Sequence, residues 1–343
     1  MRIERSHSKG GIFSGARIED GAKARSTGAF RVRLESFRAV HLTTLESLGN
    51  LYLCECIIAR NPLPSTVVAT MGHPCKDGPM RDTYTHGHHD SVLRSHRWRT
   101  AENSAGYLLA HLQSEMTLLD VGCGPGNITA DLAARLTEGQ VIGIDASSEI
   151  IEQAKHQYDA QENLTFCQAD VYHLDFDDDT FDVVHAHQVL QHLSDPVAAL
   201  LEMRRVLRPG GILAVRDCDY SGFTWAPKDT RLDRWMELYH QVTRANNAEA
   251  DAGRYLLGWA QRARLSDIRI SGSLWTYADR QSRIWWGGLW AERVCHSTFA
   301  EQAIAYGFAE RDELELIAAA WRTWMEAEDG IFCIPNIEVL ASK

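Results

Sequence analysis

The amino-acid sequence predicts an α/β domain, a mostly parallel sheet with helices on both faces and helical insertions near its end. Three observations lead there. Between residues 117 and 215, short apolar runs alternate with helix-like stretches, the pattern of strands joined by crossover helices. The runs are nearly continuous, as in Phe181-Asp182-Val183-Val184-His185-Ala186, which fits strands buried on both sides. The first run enters a glycine-punctuated turn, Asp120-Val121-Gly122-Cys123-Gly124-Pro125-Gly126-Asn127. Backbone without side chains can approach a ligand closely at such a turn.

The elements follow in order. Residues 1–70 are rich in Arg, Ser and Gly and hold no sustained period. Three readings are open for them: a disordered extension, a targeting presequence, or an upstream stretch wrongly included in the chain. Glu4, Glu19 and Asp20 count against a presequence, which is poor in acids. Residues 71–116 form an N-terminal helical arm, with Thr100 or Asn103 capping a last helix over 105–112. The main domain runs over 117–343. Its strands are expected at 118–121, 141–145, 164–168, 181–187 and 212–215, with a turn at Arg208-Pro209-Gly210-Gly211 before the fifth. Beyond 215 the pattern changes. Amphipathic helices are expected at 231–244 and 248–264, a strand at 268–275, helices at 283–306 and 311–326, and a closing strand at 331–340. Two segments, about 229–265 and 280–328, read as a cap over a ligand site, because insertions of that size usually carry function.

The glycine spacing selects the ligand. A dinucleotide fingerprint is G-x-G-x-x-G. This chain has Asp-x-Gly-x-Gly-x-Gly, with Asp120 where a pyrophosphate would be repelled. A carboxylate there suits a cationic ligand. The arrangement resembles motif I of the class I S-adenosylmethionine (SAM) methyltransferases. Further matches follow in family order: Val141-Ile142-Gly143-Ile144-Asp145, then Ala169-Asp170-Val171, then the exit at His187, then Arg208-Pro209-Gly210-Gly211. The resemblance is close over residues 98–215 and only in outline beyond. It implies a Rossmann-like sheet of seven strands, mostly parallel, with an antiparallel edge. It implies SAM as cofactor, held by Asp120, Gly122, Cys123, Gly124, Asn127, Asp145, Ala146, Asp170, Val171, His187 and Gln188. Asp145 would bind the ribose hydroxyls and Asp170 the adenine amino group.

The resemblance points within the family to the ubiquinone/menaquinone-biosynthesis methyltransferase-like group, which secondary-metabolism enzymes share. Quinone enzymes of that group carry Gly-x-Arg-Asn after the fourth strand, where this chain has His187-Gln188-Val189-Leu190-Gln191-His192. A quinone acceptor is therefore not implied. The expected reaction is methyl transfer to a small molecule. Two alternatives share the sheet: an NAD(P)-dependent oxidoreductase, disfavoured by Asp120, Asp170 and the glycine spacing, and a SAM-binding protein without turnover.

Catalytic groups are less legible. His187 stands nearest the expected methyl donor and is the first candidate for a general base; Tyr84 in the arm is a second. Arg99 reads either as a solvated cation or as a clamp on the methionyl carboxylate. His86, His88 and His89 read as a flexible polar loop rather than a metal site, since no Cys or acid spacing accompanies them. Nine of ten tryptophans follow residue 220, and they read as the core of the cap, as an apolar or aromatic substrate pocket, or as both.

Composition narrows the classes. The net charge of −11 disfavours a nucleic-acid partner. Eight cysteines without a C-x-x-C pair read as a reduced intracellular protein, cytoplasmic rather than mitochondrial. No apolar stretch has the length of a membrane span.

Overall fold

A computed structural model describes residues 82–87 and 89–343. The expectations for residues 1–70, for the first part of the arm at 71–81 and for His88 lie outside them. The arm contributes α1 (Asp90–Arg97), α2 (Ala101–Ser104) and α3 (Gly106–Leu109). The main domain follows as β1 (Thr117–Val121), α4 (Asn127–Ala133), β2 (Gln140–Asp145), α5 (Ser148–Gln157), β3 (Leu164–Gln168), β4 (Phe181–His187), α6 (Pro196–Val206) and β5 (Leu207–Cys218). Then come β6 (Thr224–Ala226), α7 (Thr230–Ala245), α8 (Ala252–Arg262), β7 (Ser266–Tyr277), α9 (Arg280–His296), α10 (Thr298–Ala305), α11 (Arg311–Glu326) and β8 (Ile331–Ser342).

The strands form one sheet in the order β3-β2-β1-β4-β5-β8, parallel through β5. β8 runs antiparallel to β5 along one edge and to β7 along the other. An eighth strand, short β6, pairs with the start of β8 beyond the end of β5, so the sheet has one strand more than expected. Alternation sorts the faces. Leu118, Val141, Val183 and Ala214 pack with Leu108 and Leu132 on one side. Leu119, Ile144, Val184 and Leu213 pack with Leu200, Met203 and Leu256 on the other. β1, β4 and β5 thus bury consecutive apolar residues in opposite directions.

Three expectations are corrected. Thr100 and Asn103 cap α2, not a helix over 105–112: each side chain accepts from the other's backbone N–H, a reciprocal capping box. The Arg208–Gly211 turn lies within the fifth strand rather than before it. Phe181 pairs with Leu207 and Val183 with Ile212, so the intervening residues bulge out of the ladder. The segment at about 229–265 divides. Its first helix, α7, packs with the later insertion, but α8 lies on the sheet beside α6, with Leu256, Trp259 and Ala260 in that layer. Gly253 permits the approach, since a Cβ there would stand 3.0 Å from the Ile337 side chain and 3.2 Å from the Asp217 carbonyl.

The second core belongs to α7 and α9–α11. Trp235, Trp290 and Trp321 are its centre, each at most 1 % exposed. The Trp235 ring lies edge-on to Trp290 at 4.6 Å and to Trp321 at 5.0 Å between centroids, the favoured aromatic geometry. Gly287 lets α9 and α11 meet, with its missing Cβ 2.8 Å from that of Met325. No described helix is long and apolar enough to cross a membrane.

Loss of a central indole leaves a cavity that close-packed neighbours fill only in part. Trp290→Ala and Trp321→Ala should each destabilise the fold by about 3–5 kcal/mol, read from urea unfolding. Trp285→Ala, on the partly exposed side of α9, should cost clearly less. Equal losses at all three positions would contradict this division of the insertion.

Candidate active site

The carboxyl ends of parallel strands leave a crevice where the crossovers part. Here that crevice is a cavity of about 760 Å³. Tyr84, Arg99 and every residue assigned to a cofactor by motif line its wall: Asp120, Gly122, Cys123, Gly124, Asn127, Asp145, Ala146, Asp170, Val171, His187 and Gln188. The structure brings together what the sequence spreads over a hundred positions.

The glycine turn is built by two constraints. Gly122 has φ +67°, and a Cβ on it would stand 2.4 Å from Val189. Gly124 has φ +55°, yet a Cβ there would meet nothing closer than the His96 ring at 3.8 Å. Packing forbids a side chain at the first; at the second the backbone fronts open cavity. Asp145, closing β2, holds the turn. One of its oxygens accepts from the Gly124 N–H at 3.1 Å, the other from the Ser147 N–H at 3.0 Å. A carboxylate has about four acceptor positions, so two remain for hydroxyl groups. The Asn127 Oδ1 is buried and has no partner among the described residues.

Asp120 is 2 % exposed and committed inward. Its oxygens meet the His185 Nδ1 at 2.7 Å and the Thr129 hydroxyl at 2.6 Å. The carboxylate expected to face a cationic ligand is thus first an anchor between β1, β4 and α4. Asp170 is exposed and accepts from the Tyr172 N–H.

At the exit of β4, Gln188 adopts φ +53°, strained for a residue with a side chain. Its N–H donates to the Arg216 carbonyl at 2.7 Å, its Oε1 accepts from Arg99 at 2.6 Å, and its Nε2 donates to Asn336 at 3.2 Å. Arg99 is therefore directed into the site rather than to solvent. His187 is buried beside Arg216, its Nδ1 3.4 Å from a guanidinium nitrogen. Burial and that charge hold its pKa well below the ordinary value. Its Nε2 has no partner among the described residues.

His86 corrects the reading of a flexible polar loop. It is 5 % exposed, stacked on Tyr239, with its Nε2 3.0 Å from the Tyr239 hydroxyl and 3.3 Å from that of Tyr220. Its neighbour His89 caps α1 by accepting from the Ser91 N–H. Tyr84 lies edge-on to His86 and His192, and burial pushes its pKa up to about 12. Burial drops that of His192 to about 3. These three side chains are neutral at physiological pH.

The tryptophans divide by role. Trp275, Trp285 and Trp286 line the cavity; Trp290, Trp321 and Trp324 do not. Sequence reasoning missed Arg216, Tyr220, Trp275's indole donation to the Asn103 carbonyl, Arg293 and Asn336. Arg216 alone left a signal, a cation at the end of an apolar strand.

Beneath the wall, Asp217 is fully buried, with one oxygen accepting from the Gln191 N–H and the other without a partner among the described residues. Burial pushes its pKa up to about 8. The unfolded value is about 4, so the neutral acid's contribution to stability is full below about pH 4 and is lost as pH rises through about 8. Asp217→Asn keeps the shape without the charge. It should gain stability relative to the native chain as pH rises from about 5 to about 9, measured by melting at each pH. A constant difference across that range would contradict the buried-acid assignment.

Comparison with known proteins gives consistent findings. A family model described as a methyltransferase domain matches residues 112–269. An uncharacterised methyltransferase of Schizosaccharomyces pombe is 33% identical over 270 residues, 76% of this chain and 96% of that protein. A protein of Aspergillus luteorubrus named a probable methyltransferase is 28% identical over 280 residues, 76% of this chain and 98% of its own. The demethylmenaquinone methyltransferase of Staphylococcus epidermidis is 36% identical over 104 residues, 30% of this chain and 43% of that one.

Proposed function

The chain belongs to the class I SAM-dependent methyltransferases, and from that premise we propose that it methylates a small, flat molecule enclosed beneath the helical insertion. One observation carries the reading. The same cavity runs from the glycine turn to an aromatic wall of Tyr220, Trp275, Tyr277, Trp285 and Trp286, so donor and acceptor share one enclosure. Pockets lined this way favour apolar or aromatic ligands with a few fixed polar contacts.

The cofactor supplies a methyl group activated on a sulfonium. The chain's own residues have simpler tasks. Asp145 would hold the ribose hydroxyls with its two spare acceptor positions. Asp170 and the Val171 backbone would meet the adenine, and the bare backbone at Gly124 would allow close approach. Arg99, fixed by Gln188, would hold the methionyl carboxylate. The open Gly124 position and the unsatisfied Asn127 oxygen fit such an occupant. The insertion excludes water and fixes the acceptor, and orientation of this kind can account for about 7–11 kcal/mol of a barrier. His187 would take a proton from an acceptor that starts protonated, through an Nε2 that has no partner among the described residues. Tyr84 would stay protonated and donate.

Two measurements test this. Asp145→Ala removes acceptors from two hydroxyls; bonds to a charged group are worth about 1.5–3 kcal/mol, so SAM affinity by calorimetry should fall at least about tenfold. Unchanged affinity in a folded variant would refute the ribose role. Separately, methyl-labelled SAM incubated with the protein and a metabolite extract should yield a labelled product of low mass. Label found only in precipitated protein or nucleic acid would refute the small-molecule reading.

A further inference from the structure

Arg293, on α9, is 3 % exposed and lines the cavity. A guanidinium carries five N–H donors. Among the described residues only its Nη2 is engaged, to the Ser91 carbonyl at 3.1 Å and the Ser95 hydroxyl at 3.0 Å. Its Nε is buried without a partner among the described residues. The adjacent acid, Glu292, is turned to Arg94 instead. The charge rests on the face of Trp290, 4.6 Å from the ring centroid, and no described carboxylate pairs with it.

A buried cation without an anion is expensive. A core in need only of a tie between α9 and α1 is served by a neutral donor. The charged group, with three donors unspent at a cavity wall, matches a ligand that brings the missing anion. The groups facing it are consistent. His86, His192, Tyr84, Tyr220 and Tyr239 are held neutral by burial, so none competes for the charge. Arg99, the other cation of the wall, is engaged by Gln188 at the glycine-turn end. Two arginines at two places on the cavity wall suit two anions.

We propose that Arg293 is the anchor for a carboxylate carried by the methyl acceptor, so that the substrate class is a small aromatic acid rather than a wholly apolar molecule. This rests on the cofactor lying at the glycine turn with its own carboxylate on Arg99. The acceptor's acid group would accept from Nη1–H, a single charge-assisted contact, because the Nη2 that completes either guanidinium fork is held by Ser91 and Ser95. Its ring would lie along Tyr277 and Trp286, which are stacked at 4.7 Å. The anchored carboxylate is a handle, and the methylated atom is elsewhere on the ring.

The test uses the full chain saturated with S-adenosylhomocysteine, and three probes: benzoate, phenylacetate and salicylate, each against its own amide. At least one acid should raise the melting temperature with dose while its amide does not. Arg293→Met should weaken that acid at least about tenfold, the scale of a lost charge-assisted pair. Arg293→Lys, which keeps the charge, should retain part of the response. S-adenosylhomocysteine affinity should hold within about twofold in both variants and fall in Arg99→Met. Equal responses to every acid and its amide in the native chain would overturn the proposal, even if neither Arg293 variant folds. So would an undiminished acid response in folded Arg293→Met. If Arg293→Met instead loses S-adenosylhomocysteine while Arg99→Met keeps it, Arg293 serves the cofactor and the proposal is refuted. Failure of the native chain to bind S-adenosylhomocysteine would refute the cofactor reading beneath it.

Discussion

The Asp145 carboxylate is the interaction on which the site depends. It stands at the end of β2 and accepts from the Gly124 N–H of the neighbouring turn and from the Ser147 N–H of its own. The Cys123 N–H adds a bond to the Ile144 carbonyl at 2.9 Å. Two strand ends are thereby fixed to each other by groups that also face the cavity. A third end joins from β4, where Val189 fills the space that a side chain at residue 122 would need. Backbone so constrained does not have to reorganise around a ligand, which is the main advantage of a site placed on rigid elements.

A second constraint runs across the sheet. Asp120 and His185 are register partners on β1 and β4, and their side chains bond. His187 faces Arg216 on β5, and Arg216 faces Glu338 on β8. Glu338 in turn accepts from Ser271 and Ser273 on β7. The ladder places buried charge beside the strand exits while leaving each group a partner, the condition for keeping such charge. Burial and the Arg216 charge together keep the His187 imidazole neutral. Sheet register thus sets the protonation state of a group at the cavity.

The strand ends were legible because their chemistry is local. A glycine turn after an apolar run, and an acid at or just beyond the ends of β2 and β3, are read within ten residues. The partners of those groups were not legible. Asn336 meets Gln188 at a separation of 148 residues and Arg293 meets Ser91 at 202, and nothing in either segment marks the other. Periodicity has the same limit. It showed that the helix after residue 248 buries one face, but not that the face meets α6 and β8 rather than the insertion. His86 reads as solvated among its polar neighbours, and only the fold supplies Tyr220 and Tyr239 to cover it.

The wall opposite the sheet is assembled from segments distant in sequence. Asp82, the first described residue of the arm, accepts from the Ser194 N–H and the Tyr172 hydroxyl near the ends of β4 and β3. From there α1 crosses to α9, joined by the Arg94–Glu292 ion pair and by Arg293. The exposed ion pair contributes little by itself; the buried guanidinium ties the arm to the insertion and faces the cavity at once. The arm and the insertion therefore form one wall, and the residues that hold the wall together are among those that meet whatever it encloses. The apolar core of α7 and α9–α11 supports that wall from behind. Its rings can be packed for stability alone, because recognition is left to Trp275, Trp285, Trp286 and the polar groups in front of them.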